Sequence, residues 1–339
     1  METVSSETAE GWRRALSRVV PAVVVLHTTA PRAFDTGVAG TSHATGFVVD
    51  KSRGIILTNR HVVGPGPVVA EAIFVNSEEI PVYAIYRDPV HDFGFFRYDP
   101  AAIKYLKYDD IPLALEAASM GLEIRVVGND SGEKVSILPG TLARLDREAP
   151  NYQKDGYNDF NTFYIQAASG TKGGSSGSPV VDCQGRVVAL NAGSSSSSAS
   201  AFYLPLDGVV RALNLIRGCW AHLVASQNLL IFLVVTFQHK GFEETRCLGR
   251  RNETEQAVRL VSPAGETGML VVDSLVQDGP ADKHLKPGSN GQWIKQIVTQ
   301  FLTIKLKVGD LHSITPNHFL EVSGAVIHPL SYQQKITEA

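Results

Sequence analysis

Disulfide bonds are not what holds this chain together. Its 339 residues include three cysteines, Cys183, Cys219 and Cys247, far apart and odd in number. That excludes a disulfide framework and offers no metal-ligand spacing, and it fits a reducing compartment. An excess of one charge is missing too. A net charge of −3 gives no footprint for nucleic acid or an acidic membrane surface as the main partner. The first ten residues, METVSSETAE, carry three glutamates and no basic residue. A secretory or organelle leader is basic or poor in acid there, so no signal is expected. The expectation is a soluble intracellular protein, with cytosol, nucleus and chloroplast stroma left open. Finally, residues 218–239 contain no Lys, Arg, Asp or Glu, and LLIFLVV (229–235) within them is strongly apolar. A bilayer span needs about 20 apolar residues. His222, Ser226, Gln227 and Asn228 interrupt this run, so it reads as a buried strand or an apolar insert rather than a membrane helix.

What is present is a succession of short apolar runs broken by Gly, Pro, Asn and Asp. From residue 22 to 204 there are twelve: AVVVLHT, TGFVVD, GIILT, VAEAIFV, IPVYAIY, DFGFFRY, LEIRVVG, EKVSILPGTLARLD, NTFYIQA, SPVVD, GRVVALNAG and AFYLP. Strands at this spacing predict a sandwich or barrels rather than βαβ units. Trp12, Leu16 and Val19 lie at helical spacing before Pro21, and PLDGVVRALNLI (205–216) sets Val209, Val210, Leu213 and Ile216 on one helix face. SSSSSASA (194–201) reads as a surface loop, and residues 268–288 as strand, turn, short helix and turn. The expected division is a leader helix over 1–21, a double-barrel domain over 22–216, an apolar linker over 217–239, an incomplete α+β domain over 240–308 and a tail over 309–339.

Three motifs carry chemistry. GGSSGSPV (173–180) sets a serine between small residues that permit a tight turn and close approach of a substrate backbone. Ser176 is the candidate nucleophile. The N–H groups of Gly174 and Ser176, with Ser175 between them, are the candidate oxyanion hole. A serine hydroxyl needs an adjacent imidazole to take its proton, and TNRHVV (58–63) presents His61 at a strand end. HDFGFF (91–96) opens another strand, where Asp92 is the candidate that orients the imidazole and stabilises its charged form. His91 is a competing base. Each motif has an ordinary reading: a Gly/Ser loop, a structural histidine, a turn aspartate. Jointly, the chain order His…Asp…Ser is the chymotrypsin order. No cofactor or metal is called for.

ATGFVVD (44–50), GIILTNRHVV (54–63), DPVHDFGFFRYDP (88–100), GGSSGSPV (173–180) and VALNAG…AFYLPLDGVVRAL (188–213) resemble the HtrA/DegP, or Do-like, serine proteases. The resemblance implies a mainly β fold of two six-stranded antiparallel β-barrels followed by a partial PDZ-like α+β module. It implies ATP-independent endopeptidase activity on polypeptide substrates, often unfolded or damaged proteins, and a homo-oligomer such as a trimer. A catalytically latent binding scaffold is the alternative. His61, Asp92 and Ser176 are then the triad and Gly174 an oxyanion residue, with Ser175 where the family has Asn and Ser178 where it has a second Gly. In this fold the residue six before the nucleophile, here Gly170, lies near the base of the primary specificity pocket. Asn191, Ala192 and Gly193 are its expected walls, so small or medium aliphatic residues should fit. RCLGRR (246–251) resembles a PDZ carboxylate loop, with Leu248 and Gly249 as peptide-binding residues and Arg250 where an apolar residue is usual. The strands expected after Gly288 are missing or replaced, and the chain reads as a truncated or alternatively spliced version of a longer protein.

Overall fold

The computed structural model describes residues 2–35, 37–66, 68–129, 135–150, 159–168, 174–195, 200–218, 231–232, 235–261, 268–275, 309–310, 315–331 and 334. The chain divides into two compact units. The first comprises Met1–Val224 with Pro316–Leu330, the second Ala225–Thr315 with Ser331–Ala339.

All twelve apolar runs form strands of the first unit. β1 (Val23–Ala30), β2 (Gly40–Asp50), β3 (Ile55–Thr58), β4 (Val69–Phe74), β5 (Glu79–Arg87) and β6 (Gly94–Arg97) close one antiparallel barrel in the order β1-β2-β3-β6-β5-β4. β7 (Glu123–Gly128), β8 (Ser136–Arg147), β9 (Tyr164–Ala167), β10 (Pro179–Val181), β11 (Val187–Ser195) and β12 (Ser200–Leu204) close a second in the order β10-β11-β12-β9-β8-β7. Closure pairs every edge and removes the exposed strand that an open sheet would leave. Phe47, Ile56, Leu57, Phe95 and Phe96 are buried in the first barrel, and Ile124, Leu142, Val180, Val188 and Tyr203 in the second. β3 has no exposed residue at all, as its uninterrupted apolar sequence requires.

Two helices seal the barrels. α1 (Glu2–Val19) is longer than the periodicity of residues 12–19 alone indicates. It buries Trp12, Ala15 and Val19, stacks Trp12 under the Arg125 guanidinium at 4.3 Å, and Arg18 Nη2 donates to Gln184 O at 2.7 Å. α2 (Asp207–Gly218) buries Val209, Ala212, Leu213 and Ile216. Ala212 takes the inward place expected of Val210, which is half-buried. Arg217 ties the end of α2 to β2, with Nε to Asp50 Oδ2 at 2.9 Å and Nη2 to Val49 O at 2.7 Å.

The second unit departs from the expected linker boundary. β14 (Val235–Gly241) starts inside the uncharged stretch and pairs antiparallel with β15 (Gly268–Leu275), with Val235 and Val272 buried. β13 (Ile231–Phe232) pairs with β16 (Gly309–Asp310). Most of 219–234 and all of 276–288 lie outside the described residues. No helix among the described residues is long and apolar enough to cross a membrane. The expected tail is also not free. β17 (Leu320–Val322) and β18 (Ala325–Ile327) form a hairpin grouped with the first unit. There Arg32 Nε meets Glu321 Oε1 at 2.9 Å, the rings of Phe34 and Phe319 lie 5.4 Å apart, and the Asp35 N–H donates to His328 Nε2 at 3.1 Å.

Leu213 is 2% exposed in the sealing face of α2. Leu213→Ala is expected to cost about 2–5 kcal/mol through lost contacts and a residual cavity, seen as a lower thermal midpoint of the first unit's transition.

Candidate active site

His61 lies three residues past the end of β3, and Asp92 lies in the turn joining β5 to β6; β6 pairs with β3, and β5 with β6, in the first barrel. Three successive residues stitch the two segments together. Asn59 Nδ2 donates to Asp92 O at 2.9 Å, Arg60 Nε to Asp88 O at 2.7 Å, and the His61 N–H to Asp92 Oδ1 at 3.2 Å. Asp88 holds the turn from inside, its Oδ1 accepting from the N–H groups of Val90 (2.9 Å) and His91 (2.7 Å) and its Oδ2 from Tyr86 OH (2.8 Å). His61 Nδ1 then lies 3.0 Å from both oxygens of Asp92. The carboxylate is 0% exposed and the imidazole 34%. A buried anion facing Nδ1 selects the tautomer with its proton on that nitrogen, leaving Nε2 as the acceptor.

Ser176 comes from the second barrel, on the turn before β10. That turn is docked on β2 and β3. The Thr45 N–H donates to Ser176 O at 2.8 Å, and Thr45 Oγ1 donates to Gly174 O at 2.9 Å. Gly177, at φ +84°, leaves no room for a Cβ, which would run into the Thr45 carbonyl and the Thr58 hydroxyl. Thr58 is the last residue of β3, three before His61, so the serine's turn and the histidine's strand share one contact. Gly174 is likewise at positive φ, +94°. Ser175 is buried, its carbonyl accepting from Ser178 N–H (3.1 Å), Ser178 Oγ (2.6 Å) and Asn191 Nδ2 (2.6 Å).

The remaining expected residues fall in different settings. Asn191 is fully buried, and its side chain braces the Ser175 carbonyl instead of walling a pocket. Ala192 is buried, and a Cβ on Gly193 would meet open space. Gly170 lies outside the described residues. His91, the competing base, has its Nδ1 3.0 Å from Asp159 Oδ1. In the second unit Leu248 and Gly249 form a turn between helices Phe242–Cys247 and Asn252–Val261. The Arg250 side chain folds inward onto Phe242 O, Thr245 Oγ1 and Glu255. A cavity of about 360 Å³ opens beside His61 on the first barrel, with Phe34, Val38, Pro65 and Val68 among its walls.

Sequence reasoning missed Thr45, Thr58, Asn59 and Asp159. Thr45 carried a readable signal: it is a polar residue inside the apolar stretch of β2, and it is fully buried. A buried hydroxyl there needs partners. Beyond Gly174 it takes the Asn129 N–H at 3.0 Å.

A family model described as a trypsin-like peptidase domain matches residues 44–190. Protease Do-like 7 of Arabidopsis thaliana is 66% identical, the match covering 98% of this chain and 33% of the relative. A pro-apoptotic serine protease of Phaeosphaeria nodorum is 47% identical, covering 97% and 34%. The chain thus spans about a third of the length of these curated relatives. Among solved structures, the HtrA-type protease AlgW with tripeptide aligns at a TM-score of 0.57 and 20% identity over 94% of each chain, a likeness of fold.

Two outcomes follow from this geometry. Gly177→Ala should cost about 1–2 kcal/mol from its left-handed backbone alone, and more from the collision with β2 and β3, read as a drop in thermal midpoint. Burial opposes charge on His91, but the Asp159 carboxylate and then Asp88 raise its pKa to about 9. Its stabilisation is complete below about pH 6.5, where the unfolded histidine is protonated as well, and is lost as pH rises through about 9. Thermal midpoints from pH 6 to 10 should carry that alkaline loss in the parent, and His91→Asn should remove it.

Proposed function

Since the chain belongs to the HtrA/Do-like family of trypsin-like serine proteases, we propose that its first unit is an ATP-independent serine endopeptidase using His61, Asp92 and Ser176. The observation that carries this is the buried Asp92 carboxylate 3.0 Å from His61 Nδ1, with a glycine-flanked serine turn packed on the strand that ends three residues before His61.

The chemistry follows from these groups. His61 Nε2 takes the Ser176 hydroxyl proton as Oγ attacks the scissile carbonyl. The resulting oxyanion is met by the N–H groups of Gly174 and Ser176, on the turn that includes Ser175. As the carbon–nitrogen bond breaks, His61 returns the proton to the leaving amine, and the acyl group stays on Ser176. Water then enters; His61 takes its proton, and collapse of the second tetrahedral intermediate releases the acid and restores the serine. Asp92 keeps its charge throughout and stabilises the imidazolium.

The substrate class proposed is unfolded or damaged polypeptide, cleaved after small or medium aliphatic residues. The absence of an acidic residue at Gly170 and the small, uncharged Ala192 and Gly193 support that preference. The cavity beside His61, where Phe34, Val38, Pro65 and Val68 share the walls with Arg32, Arg60 and Arg87, has room for such a side chain. Assembly as a homotrimer belongs to the same proposal.

A fluorophosphonate should label the purified chain and leave Ser176→Ala unlabelled. A folded parent that resists labelling would overturn the reading. Asp92→Asn should lower kcat by about 10⁴-fold, the scale set by amidating the orienting carboxylate of such a triad. In a peptide library, cleavage after Arg or Lys would overturn the aliphatic preference.

A further inference from the structure

Behind Asp92 lies a second carboxylate that the triad chemistry does not use. Asp159 precedes β9, its side chain 0% exposed. Each oxygen is engaged twice. Oδ1 accepts the Phe160 N–H at 2.7 Å and lies 3.0 Å from His91 Nδ1. Oδ2 accepts Tyr164 OH at 2.8 Å and the Asp92 N–H at 3.2 Å. Two of these partners, Phe160 and Tyr164, belong to the second barrel's chain segment. The other two, His91 and Asp92, belong to the turn of the first barrel that carries the proposed orienting carboxylate.

We propose that Asp159 is a positioning residue for Asp92, holding it through its backbone N–H so that its carboxylate keeps the direction that meets His61. The proposal rests on the protease reading above. The physical argument is directional. The 91–92 peptide plane sets where the Asp92 side chain leaves the backbone, and a charge-assisted bond from the second barrel pins that plane. Asp92 is then held on both faces: its carboxylate by His61 N–H and Nδ1, its N–H by Asp159, and its carbonyl by Asn59 Nδ2. The arrangement needs a compensating charge, because two carboxylates buried this close repel. His91 supplies it. Its ring faces Asp159, and its N–H is held by Asp88 at 2.7 Å. Its pKa of about 9, set against burial by Asp159 and Asp88 and lowered by Arg211, keeps it cationic at neutral pH. His91, adjacent to the orienting aspartate in sequence, therefore serves that aspartate's support and not the serine.

A merely structural buried ion pair would change how much protein is active; a positioning residue changes the rate of each active molecule. The test titrates active sites with a fluorophosphonate and measures hydrolysis of a fluorogenic peptide with Ala or Val at the cleaved position, for the parent, Asp159→Ala and Asp159→Asn. In parallel, proton NMR follows the low-field resonance of His61 Nδ1–H. Asp159→Ala should lower kcat per titrated site at least about tenfold with KM within about twofold, and move or broaden the resonance. Asp159→Asn, which keeps one acceptor for the Asp92 N–H, should recover most of that loss. A kcat per titrated site within twofold of the parent in Asp159→Ala, with the resonance unmoved, overturns the proposal. Where Asp159→Ala does not fold, Asp159→Leu, which fills the space but offers no acceptor to the Asp92 N–H, decides it by the same two readouts: a resonance and rate unmoved there overturn it. A parent that is neither labelled nor hydrolytic overturns the protease reading instead, and the His61 resonance alone then decides whether Asp159 positions Asp92.

Discussion

The organisation of the site depends on one difficult requirement, a carboxyl group buried with no access to water. Asp92 is fully buried, and an ion in that state is tolerable only where hydrogen bonds and opposite charge replace its hydration. The local structure reads as a set of answers to that requirement. Residues 59–61 each bond to the turn over 88–92, Asp88 caps that turn from within, and Asp159 with His91 closes the rear. Arg60, 1% exposed with Asp35 at 3.9 Å and the Asp88 carbonyl at 2.7 Å, is buried in the same effort. The turn cannot relax one contact without leaving another polar group unmet.

Bringing the second barrel's serine to this place is a problem of close approach. Backbone must touch backbone, so the residue at the contact has no side chain: Gly177 against the carbonyl of Thr45 and the hydroxyl of Thr58. Thr45 joins the barrels at this point, donating to the Gly174 carbonyl through its hydroxyl and to the Ser176 carbonyl through its amide, and accepting from the Asn129 amide. Asn191 braces the turn from β11. The turn carrying the proposed nucleophile therefore inherits its position from β2, β3 and β11, none of which takes part in the proposed bond-making.

Much of this was readable in one dimension. Twelve apolar runs became twelve strands because closed antiparallel barrels alternate buried and exposed faces over short lengths, and turn residues must separate them. His61, Asp92 and Ser176 stood out because a nucleophile turn needs small neighbours and a base needs a strand end. The supporting shell was not readable. Asp159 is 67 residues from Asp92, and nothing local distinguishes it from other aspartates before a strand. Asn191 looked like a pocket wall because position along a strand does not say to which side a buried side chain turns. His91 looked like a rival base because its partner is distant in sequence.

The sequence by itself determined the twelve strands of the first unit and the strand-end or turn placement of the three residue types proposed to react, since each of these follows from local periodicity and composition. Only the tertiary structure decided which strands share a barrel, that β14 begins inside the uncharged stretch, that residues 316–330 group with the first unit, and that a second carboxylate backs the first. Those outcomes depend on pairings between residues far apart in the chain, where burial and hydrogen-bond satisfaction select the partner and local sequence carries no record of the choice.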